Sequence, residues 1–400
     1  MNSSRTPIWL VGVSFVLFQF FLFFSSGVLT GAIMREMQLS ALTAGALSAS
    51  FYIVYTGLQI PVGLLFDRHN PRTILVASTL VCSLGCFLFA ASHDLIGLFC
   101  GRLLIGTGSA FAFVGLSHLL RQYFPIEQFA FLIGLSETIG FLATVLGIIG
   151  MGSMIIYWGW HAFINGAGVV GLIITACAWK YIPSELPKQV STQPFVEQVS
   201  VLLANKKLWI NGLFIGLTFT IVTVFGALWA APFLQAKLGC TPRQASLVNA
   251  FFFLGTGFSC PLFGWLSTQF VRRKPMIIAS LSSTTLLFLL VIYFSTHSIY
   301  IISFLMFSIG LCCGAYILAY PIANELSPPG SLSACTGFIN TLALVTTPLL
   351  QPFIGYLLDQ FSSDGVYTLG NYQNALLVIP MSLVIACLLV CFLPERTEIK

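Results

Sequence analysis

Two charged residues, Arg102 and Glu137, lie inside long apolar stretches of a sequence in which only 7% of residues are charged. A buried arginine can bind an anionic group through two parallel hydrogen bonds, or it can hold helices together. A buried glutamate can bind an ammonium group or accept a proton, or it can be a hydrogen-bonded residue that merely joins helices. Ionisable residues are costly in an apolar segment, so both are candidates for a functional site.

Glu137 lies on a polar stripe, because Thr144 is two turns further along the same helix face. About 200 residues later the pattern returns: GLSET, which contains Glu137, aligns with GFINT, which contains Asn340. Asn340 shares its own face with Thr347 and Gln351. The repeat indicates that Glu137 and Asn340 occupy equivalent positions, and we expect them to face one cavity from opposite walls.

Other polar and aromatic residues form comparable stripes on the predicted helices. Each alone is more typical of a packing residue than of a ligand, but together they predict an aromatic-walled, weakly charged cavity for a small polar or amphipathic solute. With Arg102, Glu137, Asn340 and Gln351, the candidate binding residues are Gln19, Ser26, Tyr52, Tyr55, Gln59, Trp229, Asn249, Tyr316 and Tyr320.

A short polar stretch, GLLFDRHNPR, separates two apolar runs, and GWLSTQFVRR stands at the same point of the second half. Their candidate gating residues are Gly63, Asp67, Arg68 and Arg72 in the first copy, and Gly264, Arg272 and Arg273 in the second. Basic residues alone would orient the chain in a membrane, whereas Asp67 would not, so its presence favours a specific contact. Thr268 replaces this aspartate in the second copy, so we expect the contact made by the second copy to be weaker than that made by the first.

The composition requires a membrane. Hydrophobic residues make up 57% of the 400, and the mean hydropathy is +0.95, whereas soluble domains are about half apolar and a quarter charged. Apolar runs long enough to cross the hydrocarbon core as helices recur throughout. The net charge of +5 reflects topology and gives no reason to expect nucleic acid. The eleven cysteines are expected to be small packing residues, and no spacing typical of metal ligands occurs, so neither a metal nor a cofactor is expected.

The apolar runs predict an all-α polytopic protein with twelve transmembrane helices. We refer to them as the first to twelfth spans, near residues 8–34, 42–66, 73–92, 95–120, 129–156, 161–182, 208–236, 243–266, 276–294, 299–322, 333–358 and 373–393. The long N-terminal run is taken as a span and not as a cleavable signal. Residues 183–207 read as a polar linker ending in a short amphipathic helix. The chain therefore divides into a six-helix bundle over 1–182, a linker over 183–207, and a second six-helix bundle over 208–400.

Basic residues set the orientation. With the N-terminus inside the cell, thirteen Lys and Arg residues fall on the cytoplasmic side and three on the outer side, as expected from the positive-inside rule. Both termini are predicted to be cytoplasmic.

Two motifs connect the sequence with a known family. GLLFDRHNPR resembles the loop motif of the major facilitator superfamily, with Asn70 and Pro71 in place of the usual glycine and basic residue. Arg102-x-x-x-Gly106-x-Gly108 resembles the fourth-helix motif of the same superfamily. The resemblance implies two six-helix bundles with the substrate site near the midplane between them. It also implies that Asp67 lies near the start of the eleventh span and that its contacts exist only while the cytoplasmic side is closed.

A narrower resemblance covers the second span, the GRLLIGTGSAFAFVG stretch and FP…FAFLIGL. These look like the nutrient-transporter branch of bacteria that live inside host cells, which takes up amino acids or nucleosides and has siderophore-carrying relatives. The first span departs from that branch, since LFQFFLFFSSG is rich in phenylalanine and uncharged.

The resemblance implies a secondary transporter in the bacterial inner membrane that moves its solute by alternating access. Proton-coupled uptake of an amino acid, nucleoside or siderophore is the first expectation, with Glu137 carrying the proton and the protein acting as a monomer. The alternative is proton-driven export of siderophores or drug-like compounds. Exporters of this superfamily usually carry a Gly-Pro kink motif in the fifth span, and the fifth span of this sequence lacks it. No nucleotide-binding GxxxxGK[ST] loop occurs, which excludes an ATP-driven pump on this chain. A sensor or membrane enzyme would need a soluble domain or catalytic cluster, and the sequence shows neither.

Overall fold

The computed structural model describes residues 5–24, 33, 36–37, 41–185, 195–270, 272–328, 331–361 and 367–395. Within these ranges the side chains of 24, 41–46, 48, 49, 147–157, 195, 196, 198, 242, 352 and 359 are outside the description. Ser26, a candidate binding residue, also lies outside the described residues.

The first half of the chain is a series of long helices. They are Thr6–Phe24, Ala41–Phe66, Pro71–Ala91, Leu95–Ser109, Phe111–Tyr123 and Ile126–Tyr181. The last has 56 residues and contains the fifth and sixth spans, with Gly159 at φ 76° between them. This left-handed conformation is accessible to glycine at little cost, which is why the chain bends there. The third span begins where the Asn70 side chain accepts the backbone N–H of Arg72, with Pro71 in the first turn, a common helix start.

The second half repeats this plan with two local irregularities. Its helices are Phe195–Ala204, Lys206–Thr220, Ala230–Leu238, Pro242–Gln269, Lys274–Tyr293, Ile299–Cys312, Ala319–Leu326, Leu332–Phe361, Leu369–Ala375 and Val378–Val390. A π-helical segment, Ile221–Trp229, interrupts the seventh span, and a 3-10 segment, Cys313–Leu318, interrupts the tenth. Helix Phe195–Ala204 confirms the short helix expected at the end of the linker.

Eleven helices among the described residues are long and apolar enough to cross a membrane. Helix Ala41–Phe66 adds a shorter apolar stretch, Ser50–Phe66, at the position of the second predicted span. The prediction of an all-helical membrane fold is confirmed. All eleven cysteines are free, and Cys82, Cys86, Cys260, Cys313 and Cys335 are buried.

The chain forms two compact units, and each takes a piece of the opposite sequence half. The first unit comprises Met1–Phe129, Leu146–Leu202 and Ser327–Thr341, and the second comprises Ala130–Val145, Leu203–Leu326 and Leu342–Lys400. The start of the eleventh span thus belongs with the first unit, and the start of the fifth span belongs with the second. The division into bundles over 1–182 and 208–400 stays a prediction from the sequence.

Glycines permit these exchanges. In the first unit, a Cβ on Gly63 or Gly337 would lie less than 3.0 Å from a backbone oxygen of the facing helix, Ser333 or Gln59 respectively. In the second unit, the same holds for Gly134 against Cys260. Close backbone approach at small residues is the usual way in which helices associate in a membrane. We call the contact of the second and eleventh spans the first crossing and that of the fifth and eighth spans the second crossing.

Candidate functional site

Arg102 lies in helix Leu95–Ser109 in the first unit, where its side chain is 4% exposed. Its Nη1 donates to the backbone oxygen of Leu22 (3.3 Å), and the guanidinium lies 4.9 Å from the centre of the Phe51 ring. Its Nη2 is buried and has no hydrogen-bond partner among the residues that the structure describes. No carboxylate forms an ion pair with Arg102 among the residues that the structure describes. A buried cation with a free donor attracts an anion, because it has given up hydration without gaining a counter-charge.

Tyr52 is half-buried on the second span and lies within electrostatic reach of Arg102. Its ring packs edge-on against Phe23 of the first span (4.6 Å between centroids) and against Phe51 (5.7 Å). The surroundings of the arginine are therefore aromatic, as the sequence predicts.

Gln19, another candidate binding residue, is buried in the first span.

A satisfied amide pair joins the second and eleventh spans in the first unit. Nδ2 of Asn340 donates to Oε1 of Gln59 (2.7 Å) and makes a longer contact with the hydroxyl of Tyr55 (3.5 Å). Nε2 of Gln59 donates to the backbone oxygens of Tyr55 and Ala110. These bonds use both donors of Gln59 within the protein, so this residue holds three helices together in the described conformation.

Glu137 lies in the second unit and is 5% exposed. Its carboxyl is within electrostatic reach of Cys260 and Tyr316, whose Sγ and hydroxyl oxygen are 3.1 Å apart. Thr138 donates to the backbone oxygen of Gly257, which fixes the helix beside the eighth span. No ion pair neutralises Glu137 within the described part of the chain. A carboxyl in such surroundings can hold a proton, because leaving water costs its neutral form much less than its charged form.

The remaining candidates of the second unit surround the π-helical segment of the seventh span. Nδ2 of Asn249 donates to the backbone oxygen of Gly226 (2.7 Å), and Nε2 of Gln351 donates to that of Thr223 (2.8 Å). Nε1 of Trp229 donates to the backbone oxygen of Gln351 (3.2 Å). A π-helix changes the backbone bonding register, and these amides supply donors to its carbonyls.

The two tyrosines of the tenth span differ in setting. Tyr316 lies in the 3-10 segment and packs against Phe219 (4.7 Å between centroids). Tyr320 is buried in the helix that follows. The structure thus brings Tyr316, Cys260 and Glu137 together, and it places Arg102 in the other unit.

The gating residues of the first copy contact the eleventh span. Oδ1 of Asp67 accepts the backbone N–H of Ser333 (2.9 Å), and Oδ2 accepts that of Ala334 (2.8 Å). These two N–H groups lie in the first turn of helix Leu332–Phe361, where N–H groups have no partner within the helix and negative charge is favoured. Burial raises the pKa of Asp67, while the two N–H donors and nearby Arg121 act in the opposite direction.

The basic residues of the two loop copies differ in their surroundings. Nε of Arg72 donates to the backbone oxygen of Ile182 (2.6 Å), and its guanidinium lies over Trp179. Arg72 therefore contacts the end of the sixth span, and no carboxylate of the described residues forms an ion pair with it. Arg68 is half-buried in the loop after the second span, and Arg272 in the second copy is exposed.

Arg273 makes the strongest ionic contact of the described chain. Its Nη1 and Nη2 donate to the two carboxylate oxygens of Glu325 (2.9 and 2.7 Å), and its backbone N–H donates to Glu395. All three residues belong to the second unit. Thr268 is exposed and donates to the backbone oxygen of Trp265 in its own helix.

The sequence did not single out His118, Arg121 or Ser333 as a group. His118 stands near a span end, which suggested an interfacial position, but the structure buries it. Its spacing to Arg121 and Gln122 on one helix face is a sequence signal, whereas nothing in the sequence indicates that Ser333 faces them. Among the described residues, no group of three or more His, Cys, Asp or Glu could hold a metal ion.

The comparison with family models decides the identity. A model described as Major Facilitator Superfamily matches residues 11–233 and again residues 213–400. The chain belongs to the major facilitator superfamily. It is therefore a membrane transporter with the fold of that superfamily.

The chain is also similar to curated transporters over most of its length. A probable galactarate/D-glucarate transporter of Escherichia coli (strain K12), GarP, is 23% identical, with 92% of this chain and 88% of the relative aligned. GudP of Bacillus subtilis (strain 168), with the same description, is 23% identical, with 86% and 84% aligned. The crystal structure of the superfamily transporter FucP in the outward conformation matches with a TM-score of 0.72 and 14% identity, covering 97% of this chain and 100% of that one, which shows the fold.

Proposed function

We propose that this superfamily member takes up a small hydroxylated carboxylate of the sugar-acid class together with a proton, across the bacterial inner membrane and with both termini cytoplasmic. The observation that carries the proposal is Arg102: a buried guanidinium with one free donor and no counter-charge among the described residues. The names of the two aligned relatives, galactarate/D-glucarate transporters, point to the same chemistry.

A carboxylate ligand fits Arg102 better than the solutes expected from the narrower resemblance. A guanidinium binds a carboxylate through two parallel hydrogen bonds, whereas nucleosides offer it no anionic group. Amino acids would also need a site for their ammonium group. We assign Arg102 to the substrate carboxylate and Tyr52, beside it, to a hydroxyl of the same molecule.

Glu137 is the residue proposed to carry the proton. It has no cationic partner within the described part of the chain, and its neighbours Cys260 and Tyr316 are neutral groups. An ammonium-binding role loses its purpose when the solute is an anion. Proton uptake by Glu137 would also offset part of the negative charge that the solute brings into a low-dielectric protein.

Export of siderophores or drug-like compounds is the second candidate. The fifth span contains GIIGMG without the proline that exporters carry, and this favours uptake.

A melting-temperature experiment tests the substrate class. We expect D-glucarate or galactarate to raise the melting temperature of the purified protein by several degrees, because a ligand that binds only the folded state stabilises it. The neutral polyol galactitol should have no effect. Arg102→Gln should remove the response, and Arg102→Lys should weaken it more than tenfold in ligand concentration, because lysine keeps the charge but not the paired donors.

The exposed Arg272 supplies the matched control, and Arg272→Gln should respond like the wild type. Unchanged glucarate binding by a folded Arg102→Gln protein would overturn the assignment of Arg102. A melting-temperature response to amino acids or nucleosides, without one to sugar acids, would overturn the substrate class.

A further inference from the structure

A buried polar cluster lies beside the first crossing, at the predicted cytoplasmic end of the fourth span. We call it the inner cluster; its members are Asp67, His118, Arg121, Gln122 and Ser333, all in the first unit. Nδ1 of His118 lies 2.7 Å from Oγ of Ser333, and Nε2 lies 2.7 Å from Oε1 of Gln122. Nη2 of Arg121 donates to the same Oγ of Ser333 (3.2 Å).

The partners of His118 define its protonation state. Oε1 of Gln122 can only accept, so Nε2 of His118 carries the hydrogen of that bond. Nδ1 is then a free acceptor, and the hydroxyl of Ser333 donates to it. The Ser333 oxygen still has lone pairs to accept from Arg121. Every group in this arrangement is satisfied with a neutral imidazole.

A second proton on the imidazole breaks the arrangement. Nδ1–H and the guanidinium of Arg121 would then both donate to one serine oxygen, and the serine hydrogen would have to turn from Nδ1 to the Asp67 carboxylate, which also lies within reach of the Ser333 hydroxyl. Two cations would stand side by side in a buried place where His118 is 6% exposed. The cost of such a state is several times that of a lost hydrogen bond.

We propose that His118 is a positioning residue that holds Ser333 against the fourth span only while its imidazole is neutral, so that acid on the cytoplasmic side releases the first crossing. Ser333 is also the residue whose backbone N–H bonds to Asp67. Loss of the His118 contact therefore loosens the helix start on which Asp67 acts. This inference concerns the first crossing and does not depend on the transported solute.

The ionisable groups around His118 determine the direction of the pH effect. Arg121 on the same helix bonds to the same Ser333 oxygen as His118, and Cys335 on the eleventh span is a buried thiol near Arg121. Asp67, after the second span, is the carboxylate that faces the cluster. Because burial raises the pKa of Asp67, proton uptake by Asp67 favours the closed crossing at low pH. His118 acts in the opposite direction.

The size of the effect follows from linkage. A histidine exposed to water takes up a proton near pH 6.5. When the crossing opens, His118 becomes such a residue, so the open form gains protons below that pH while the closed form does not. Taken alone, this contribution of His118 raises the ratio of open to closed molecules about tenfold between pH 7.5 and pH 5.5. Proton uptake by Asp67 reduces that rise.

Native cysteines report this ratio. Cys335 is fully buried two residues after Ser333, and Cys391 is exposed. The protein is treated with N-ethylmaleimide in liposomes without solute, at equal pH on both sides, and the alkylation of both cysteines is followed by peptide mass spectrometry. Taking the rate at Cys335 relative to Cys391 removes the general decrease of thiol reactivity at low pH.

We expect the change in the relative rate at Cys335 from pH 7.5 to pH 5.5 to be about tenfold larger in the wild type than in His118→Asn. The asparagine offers an acceptor near the position of Nδ1 but cannot be protonated in this range, so its profile should be flat or should fall with the effect of Asp67. His118→Gln serves if the asparagine variant has a lowered melting temperature. His69→Asn is the matched control, because His69 is exposed on the same side, and its profile should equal that of the wild type.

Equal profiles in the wild type and in a folded His118→Asn protein would overturn the proposal. A wild-type rise that persists in a folded His118→Asn protein would overturn it as well, since another group would then be the one that titrates.

Discussion

The two crossings have the same backbone frame and different polar chemistry. In each, two glycines lie where a Cβ would come within 3.0 Å of a backbone oxygen of the facing helix: Gly63 and Gly337 in the first crossing, Gly264 and Gly134 in the second. These four positions correspond in the internal repeat. The repeat has therefore kept the contact of main chain on main chain in both units.

The polar residues that accompany this frame differ at the inner end. Asp67 accepts two hydrogen bonds from backbone N–H groups in the first turn of the eleventh span. Thr268, at the corresponding place, bonds only to Trp265 in its own helix among the described contacts. In the second copy, Arg273 forms an ion pair with Glu325, and both residues belong to the same sequence half. Hydrogen bonds of Asp67 therefore join the two sequence halves at the first crossing. The described contacts of Thr268 include no bond between the halves.

The middle of the crossings differs as well. Asn340 gives its amide to Gln59 in the first crossing. The corresponding pair in the second crossing is Glu137 and Cys260, which come within electrostatic reach but share no hydrogen bond among those the structure describes. One unit has a satisfied amide pair where the other has an acid without a counter-charge. The repeat thus preserves the backbone frame, while the carboxyl groups differ in place: Asp67 lies at the inner end of the first crossing and Glu137 in the middle of the second.

The largest expected effect tests the shared frame. Gly337→Val and Gly134→Val should each reduce uptake about a hundredfold or more, because the new side chain meets main chain that cannot move aside, at a cost of about 3 kcal/mol. Gly57→Val is the control, since a Cβ there meets nothing within 4 Å, and it should remain within about twofold of the wild type. A large loss in only one of the two units would break the equivalence of the crossings. The measurement is solute uptake into proteoliposomes.

The next effect tests the difference at the inner end. Asp67→Asn should leave the protein folded and raise the alkylation rate of Cys335 about tenfold, because the amide keeps one acceptor and loses the charge at the helix start, worth about 1.4 kcal/mol. Slower transport should accompany this change. Thr268→Val should alter the alkylation of Cys335, and that of Cys260 in the second crossing, by less than about twofold. Equal effects of the two substitutions would refute the asymmetry.

The sequence was sufficient for the frame because its signals are local or periodic. Apolar runs predict the spans, and the repeated loop places Asp67 beside the eleventh span through the family resemblance. The π-helical segment at Ile221–Trp229 has no such signal, because it depends on side chains of Asn249 and Gln351 that come from distant spans. The same reason explains why the inner cluster was missed: Ser333 meets His118 only after the eleventh span has packed on the first unit.

The binding candidates show the same limit residue by residue. The charge and position of Arg102 and Glu137 could be predicted, because an ionisable residue inside an apolar run is visible in the sequence. The partners of Gln59 and Arg72 could not, since an amide or guanidinium bonds equally well to a ligand, a carboxylate or a backbone carbonyl. Their roles in binding and gating stay predictions.

Transport by the Glu137→Gln variant tests the central claim, that Glu137 in the second unit carries the proton. The neutral amide resembles the protonated acid, so counterflow of the best-stabilising sugar acid at equal pH should be retained in proteoliposomes, while uptake driven by a pH gradient should be lost. Asn340→Ala is the matched control at the corresponding position, and it should weaken binding without changing the pH dependence of transport. If a folded Glu137→Gln protein takes up its solute in response to a pH gradient as the wild type does, Glu137 is not the proton carrier and the account is wrong.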